Sequence, residues 1–285
     1  MNQTLLQITI DKDANGLNTS RLVINRQQLL ILYRLYNFRF INTLQVQRLI
    51  HKKQIQQAQQ RLNLLVSRGW VGKNFSKRDR LTGKYASYYL LPKGIKALRQ
   101  YKSKLGFDFE LNPKIVHNIY KDKTASSRFI NHCIGLGDIN CSLKRLHGSN
   151  LEYFPKNDLI DHDYFPDPRP DAYLRIGADT KSIEERSEHF LEYCEEIVPF
   201  FVYRKRIKQY VEYVYDELWE EATSRKSPTI RLVAETPVLQ RRLQRFIKQY
   251  LNHYYMTAHA KFLITNIELL KTTTDSAVWT QMVQE

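Results

Sequence analysis

Gln56, Gln57, Gln60 and Arg61 fall within six consecutive positions and carry the chemistry that reads base edges in a DNA major groove. Gln can bridge N6 and N7 of adenine, and Arg can bridge O6 and N7 of guanine. Any one of these Gln residues is equally an ordinary solvated helix residue, so the weight rests on the cluster and its neighbours. Lys52 and Lys53 precede it. Lys73, Lys77, Arg78, Arg80 and Lys84 follow it, with Asp79 the one acid among them. Such a run of cations suits contact with phosphates or a minor groove. Other chemistries find less support. The eight His show no zinc-finger spacing with the three Cys, and the ten Gly form no phosphate-cradling loop. No Ser-His-Asp or Cys-His arrangement follows from spacing, and no three-histidine motif accompanies a tyrosine nucleophile. Asp161-His162-Asp163 holds metal-competent groups, but in a loop rich in Pro and Asp these are ordinarily solvated.

The charge of the whole chain points the same way. Net charge is +15 over 285 residues, yet residues 1–105 hold 20 of the 44 Lys and Arg against 3 of the 29 Asp and Glu. The excess positive charge is confined to the first third, which implies a polyanionic partner, with nucleic acid ahead of an anionic membrane. Hydrophobic residues at 42% are enough for sizeable cores. No apolar run approaches the roughly 20 residues needed to span a bilayer, and no leader is evident near Met1. Three Cys argue against a disulfide framework and for a reducing compartment. A soluble, cytoplasmic protein without membrane contact is the expectation.

The elements that must position the base-reading cluster can be read from periodicity. Residues 1–24 form an arm with a short alternating stretch at Leu5, Ile8 and Ile10. Residues 25–105 read as a winged-helix DNA-binding domain. Apolar spacing gives a helix over 26–36, and Asn42-Thr43 caps a second helix carrying Leu44, Val46 and Leu49. A short basic turn leads to a third helix over 54–67, with Ile55, Ala58, Leu62, Leu65 and Val66 inward and Gly69 as its stop. Two short helices joined this way make a helix-turn-helix. Trp70-Val71 and 85–91 then read as strands of a hairpin with a basic tip, and Pro92-Lys93-Gly94 opens a closing helix.

Residues 106–123 read as an extended linker ending in a short helix near Ile115. Residues 124–285 read as an α/β domain. The expected order is a helix over 124–146, strands over 151–155, 171–176 and 189–194, and one long helix over 199–223. A strand over 229–234, a basic amphipathic helix over 237–254 and a last strand over 261–265 complete it. Arg241, Arg242, Arg245 and Lys248 on that basic helix read as a wet face rather than a second DNA stripe.

The αβββαβ order, with Arg169-Pro170-Asp171 opening one strand and Glu192 on the next, resembles the restriction-endonuclease-like core of the PD-(D/E)xK nuclease superfamily. That resemblance implies a divalent metal, Mg²⁺ or Mn²⁺, held by Asp171 and Glu192. It also implies a lysine two residues after the second acid, where this chain has Cys194. Lys205 or Lys208 on the following helix is the candidate replacement. The plain competitor is a pair of strand-end acids that cap a helix or pair with Arg169 and Arg175.

Over about residues 25–270 the sequence resembles the replication-relaxation family of plasmid and mobile-element proteins. The resemblance rests on Leu62, Val66, Gly69-Trp70-Val71 and Tyr89-Leu90-Leu91-Pro92-Lys93-Gly94 in the first half. In the second half it rests on Arg169-Pro170-Asp171-Ala172, Glu192, Arg206-Ile207-Lys208-Gln209-Tyr210 and Val233-Ala234-Glu235-Thr236. It implies binding of double-stranded DNA in replication, relaxation or mobilisation, with the nuclease-like half serving dimerisation, a replication or mobilisation partner, or further DNA contact. DNA binding itself requires no cofactor. A metal-dependent endonuclease or nickase and a winged-helix transcriptional repressor are the alternatives.

Overall fold

Asn25 and Asn42 begin the first two helices in the same way. Each accepts from the backbone amide three residues on, while the Gln at that third position returns a bond to the cap. The computed structural model describes residues 10–12, 18–20, 24–107, 109–177, 186–253 and 260–282. At the amino-terminal end Ile10–Lys12 (β1) pairs antiparallel with Asn18–Ser20 (β2), and the expected apolar positions Leu5 and Ile8 lie outside the described residues. Then follow α1 (Arg26–Phe38), β3 (Phe40–Asn42), α2 (Thr43–Leu49) and α3 (Ile55–Ser67). After them come β4 (Val71–Asn74), α4 (Lys77–Leu81), β5 (Ser87–Leu90) and α5 (Pro92–Tyr101).

The three strands form one antiparallel sheet in the order β3-β5-β4, with Tyr89 opposite both Phe40 and Gly72. Leu29, Leu32, Leu35, Val46, Leu62 and Leu65 are fully buried beneath it. Each such side chain contributes about 1.5–3 kcal/mol of burial. Two expectations are corrected here. The segment between β4 and β5 is not a bare turn but carries α4, whose cap Ser76 receives Asp79 in return. The strand β3 was not foreseen, because three residues are too few to show an alternating pattern.

The segment expected as an extended linker is packed instead. A 3-10 turn over Lys102–Leu105 and α6 (Pro113–Ile119) bury Leu105, Ile115, Val116 and Ile119 in the same core as α1. Phe107 and Phe109 stand against the Tyr33 ring, with centroids 5.0 and 4.6 Å away. Positions 115, 116 and 119 share a helical face, and α1 supplies the apolar surface that covers them.

The second half begins with α7 (Ser127–His147), capped by Ser126. It continues as β6 (Leu151–Pro155), β7 (Ala172–Ile176), β8 (Ser187–Cys194), α8 (Phe200–Tyr215) and α9 (Leu218–Thr223). The chain then runs through β9 (Thr229–Ala234), α10 (Pro237–His253), β10 (Phe262–Asn266), α11 (Ile267–Thr272) and β11 (Thr280–Met282). The six strands lie in the order β11-β10-β9-β8-β7-β6. Strands β6, β7 and β8 are antiparallel, β8, β9 and β10 are parallel, and β11 returns antiparallel. Alternation along β8 sends Phe190 to one core, with Tyr210, Trp219 and Leu243, and Leu191 to another, with Ile139, Leu143 and Val233. Both faces of the sheet are therefore covered by helices, and the whole is a mixed α and β structure. The single helix expected over 199–223 is broken at Asp216 and Glu217, where Glu217 takes φ 52°. Neither α11 nor β11 was foreseen. Tyr254, the expected end of the basic helix, and most of the loop from Asp179 to Glu188 lie outside the described residues.

Two glycines on α7 let other elements approach it. A Cβ at Gly135 would stand 2.3 Å from the Tyr193 ring on β8, and one at Gly137 would stand 2.8 Å from the Gln45 amide on α2. Gln45 uses that space to donate to the carbonyl of Ile134 at 2.7 Å and to Asp138 Oδ1 at 2.8 Å. The short helix α2 is thus tied to the long helix of the second half.

Candidate nucleic-acid interface and acidic cluster

Helix α3 turns Ala58, Leu62 and Leu65 inward, and 3.6-residue periodicity sends the base-reading candidates outward. Gln56, Gln57 and Gln60 are exposed, and Arg61 is half-buried beside them. Lys53 is exposed and Lys52 half-buried in the turn that leads into α3. Lys73, Lys77, Arg78, Arg80 and Lys84 are all exposed on β4, α4 and the segment that returns to β5. Asp79 does not neutralise them through a bonded pair. Its Oδ2 accepts from the Ser76 amide at 2.9 Å and the Ser76 hydroxyl at 2.6 Å, and these bonds hold the carboxyl below its ordinary range. Lys73 and Arg80 instead lean over the Phe75 ring, at 5.5 and 5.8 Å.

The pairing of β7 with β8 sets Ala172 opposite Leu191, which brings Asp171 and Glu192 to adjoining positions at one end of the two strands. Both groups are committed to internal partners. Asp171 Oδ2 accepts from the Tyr193 amide at 3.0 Å, and Asp171 Oδ1 faces His132 Nε2 at 3.4 Å. Glu192 Oε1 accepts from Arg206 Nε at 2.8 Å, Arg206 Nη2 at 2.6 Å and the Tyr210 hydroxyl at 2.5 Å. Burial alone would lower the Arg206 pKa, but the Glu192 carboxylate and Tyr210 outweigh it and raise it.

The cations expected near Glu192 are elsewhere. Lys205 and Lys208 are exposed on α8, and Lys208 Nζ stands 5.5 Å from the Tyr250 ring. Arg206, between them in sequence, is the one that turns inward. Cys194, at the position where a lysine was sought, is buried, and desolvation raises its thiol well above the ordinary value. Arg169 and Arg175 do not pair with the two acids either. Arg169 donates to the carbonyls of Leu159 and Ile160 at 2.7 and 2.9 Å, and Arg175 meets Glu152 and Glu188 at 3.6 and 3.7 Å.

His132 was missed by the sequence reading. Its ring sits between two carboxylates, with Nδ1 2.9 Å from Glu195 Oε2 and Nε2 on Asp171. Burial opposes its charge, but hydrogen bonds and the charges of Asp171 and Glu195 raise it to about 10, so it stands as an imidazolium. Burial likewise works to raise Asp171. The His132 bond and charge, Lys156 and the Tyr193 amide prevail and hold it low. Nothing local in Asn131-His132-Cys133 signals this role, since the partners lie 39 and 63 residues away.

In this arrangement both oxygens of Asp171 and Oε1 of Glu192 face N–H or O–H donors, and His132 and Arg206 set positive charge beside them. Among the described residues no group of three or more His, Cys, Asp or Glu is arranged to hold a metal ion. Asp161 and His162 do not converge on one. Asp161 accepts from the Asn112 side chain, and His162 packs on the rings of Tyr164 and Phe165. Among the described residues no helix is long and apolar enough to cross a membrane. The sequence model of a family described as replication-relaxation matches residues 32–227, from within α1 to just beyond α9. No curated protein and no solved structure matches the chain.

Proposed function

The chain belongs to the replication-relaxation family, and on that footing we propose that it binds double-stranded DNA of a plasmid or other mobile element, in replication, relaxation or mobilisation. In this reading α1, α2, α3, the β3-β5-β4 sheet and α5 are a winged helix. Helix α3 enters the major groove, and the segment from β4 through α4 to β5 is the wing. Gln56, Gln57, Gln60 and Arg61 contact bases, whereas Lys52, Lys53, Lys73, Lys77, Arg78, Arg80 and Lys84 contact phosphates. The observation that carries this is the solvent-facing Gln and Arg face of α3 beside a loop whose five cations all stay exposed.

Electrostatic binding releases counterions, so about six phosphate contacts give a log–log salt slope of about −5. Fluorescence anisotropy of a labelled duplex between low and moderate salt measures it. A slope near zero overturns the proposal.

The second half is proposed as a nuclease-like domain that has lost cutting and serves dimerisation, a partner protein or further DNA contact. Its support is the internal neutralisation of Asp171 by His132 and of Glu192 by Arg206. Supercoiled plasmid incubated with the protein and Mg²⁺ or Mn²⁺ should stay intact. Nicking that vanishes in Asp171→Ala would establish the endonuclease instead.

A further inference from the structure

Arg34 of α1, Arg48 of α2, and Lys144 and Arg145 of α7 line a cavity of about 610 Å³ where the three helices meet, with Lys271 of α11 at its edge. No Asp or Glu lines it. Three of its cations already have partners, Arg48 with the Cys141 thiol among them. Arg145 donates to the carbonyls of Leu270, Lys271 and Thr273, and Lys271 pairs with Asp138 at 2.6 Å. The side chains of Arg34 and Lys144 form no hydrogen bond or ion pair among the described residues; Arg34 has a loose approach to the Tyr33 ring, at 6.0 Å. Asp158 acts on Arg34 from a distance, without an ion pair. The buried Asn140 side chain also lines the space, and its Nδ2 has no hydrogen-bond partner.

Gathering cations without acids is unfavourable unless an anion offsets it. Desolvation lowers Arg34, and desolvation together with the Arg34 charge draws Lys144 down to about 8, although Lys144 reaches solvent at the rim. Leu30, Phe38, Ile41 and Leu49 form an apolar stretch of the wall, and the polar Gln45, His51 and Ser142 line it as well. A small inorganic anion would meet the cations and leave that wall uncovered. A ligand with a flat apolar body and an anionic end covers both, and the volume suits one of nucleotide size.

We propose that this cavity binds a nucleoside phosphate, the phosphate against Arg34, Arg48 and Lys144 and the base against Phe38 and its apolar neighbours. Paired bases inside a duplex cannot reach such a wall. The nucleotide is therefore either free or an unstacked nucleotide of a single strand.

The test uses the full chain and a fluorescently labelled ADP, read by anisotropy. Wild-type protein should bind it saturably, and Arg34→Gln and Lys144→Gln should each weaken binding about tenfold, the loss of one charge-assisted contact. Lys144 is exposed, so its variant tests the site without threatening the fold. Both variants should keep wild-type duplex affinity. ADP should also slow alkylation of Cys141, a free thiol on the cavity wall, as read by mass spectrometry. An unlabelled single-stranded oligonucleotide that displaces the labelled ADP assigns the nucleotide to a DNA strand, and failure to displace it assigns a free nucleotide. Absence of binding by both ADP and the oligonucleotide overturns the proposal. So does ADP binding weakened by Lys77→Gln but not by the two cavity variants, because that would place the ligand on the duplex-binding surface.

Discussion

Arg206 donates to a single oxygen of Glu192 from both Nε and Nη2, while Tyr210 donates to the same oxygen. The pair lies between α8 and β8, with Arg206 buried at 9% exposed and Glu192 half-buried. Removing one partner of such a pair leaves an uncompensated charge in a site closed to water. Arg206→Met should therefore cost about 3 kcal/mol in urea denaturation. Substituting both residues, Glu192→Gln with Arg206→Met, should recover much of that loss because no unpaired charge remains. If the single variant is as stable as wild type, the pair does not hold α8 on the sheet.

A second prediction concerns pH. His132 has a folded-state pKa raised to about 10 from an ordinary 6.5, through its bonds to Asp171 and Glu195 against the opposing effect of burial. A group raised on folding contributes stability that is fully present below about pH 6.5 and is lost as pH rises through about 10. The lowered pKa of Asp171 contributes above its unfolded value, so it is constant across that window. The urea midpoint of wild-type protein should thus fall between pH 6 and pH 10 by more than that of His132→Gln. Parallel profiles would show that the imidazolium is not held by the two acids.

How much of this was legible in the sequence depends on the range of the contact. The Asn42 cap, the inward positions of α3 and the strands at 151–155 and 229–234 are set by local spacing and by caps, and the structure has them where spacing put them. The register that brings Asp171 beside Glu192 was also accessible, since adjacent antiparallel strands place their facing ends together. The partners of those acids were not. His132 reaches Asp171 from α7, and which of three neighbouring cations on α8 faces Glu192 depends on helix phase, which favours Arg206 over Lys205 and Lys208. The packing of 106–123 was hidden for a related reason. Gly106 and Pro113 read as a spacer until α1 offers its surface to Ile115 and Ile119.

Gly94 makes a sharp steric prediction. It sits in the first turn of α5, and a Cβ there would stand 2.2 Å from the backbone carbonyl oxygen of Trp70. That carbonyl also accepts from the Leu91 amide at 3.0 Å, fixing the start of α5 against the end of α3 and the beginning of β4. A backbone atom cannot swing aside as a side chain can. Gly94→Ala should cost about 1–3 kcal/mol in thermal or urea unfolding, despite the better helix propensity of Ala. A neutral or stabilising result would mean that α5 can shift away from Trp70 freely.

Arg61 and Lys77 separate base reading from phosphate contact. Arg61 lies on α3 among the exposed Gln residues, and Lys77 opens α4 in the basic loop. If Arg61 forms a bidentate contact to guanine, Arg61→Ala should cost about 1–3 kcal/mol on the preferred site and much less on random duplex, relaxing sequence preference. A phosphate contact carries no sequence information. Lys77→Gln should therefore weaken preferred and random duplexes alike and make the salt slope shallower by about 1. Binding-site selection followed by anisotropy on the selected and a scrambled duplex, at two salt concentrations, measures both. If Lys77→Gln changed sequence preference and Arg61→Ala did not, α3 would not be the element in the groove, and the loop between β4 and β5 would have to be the reader.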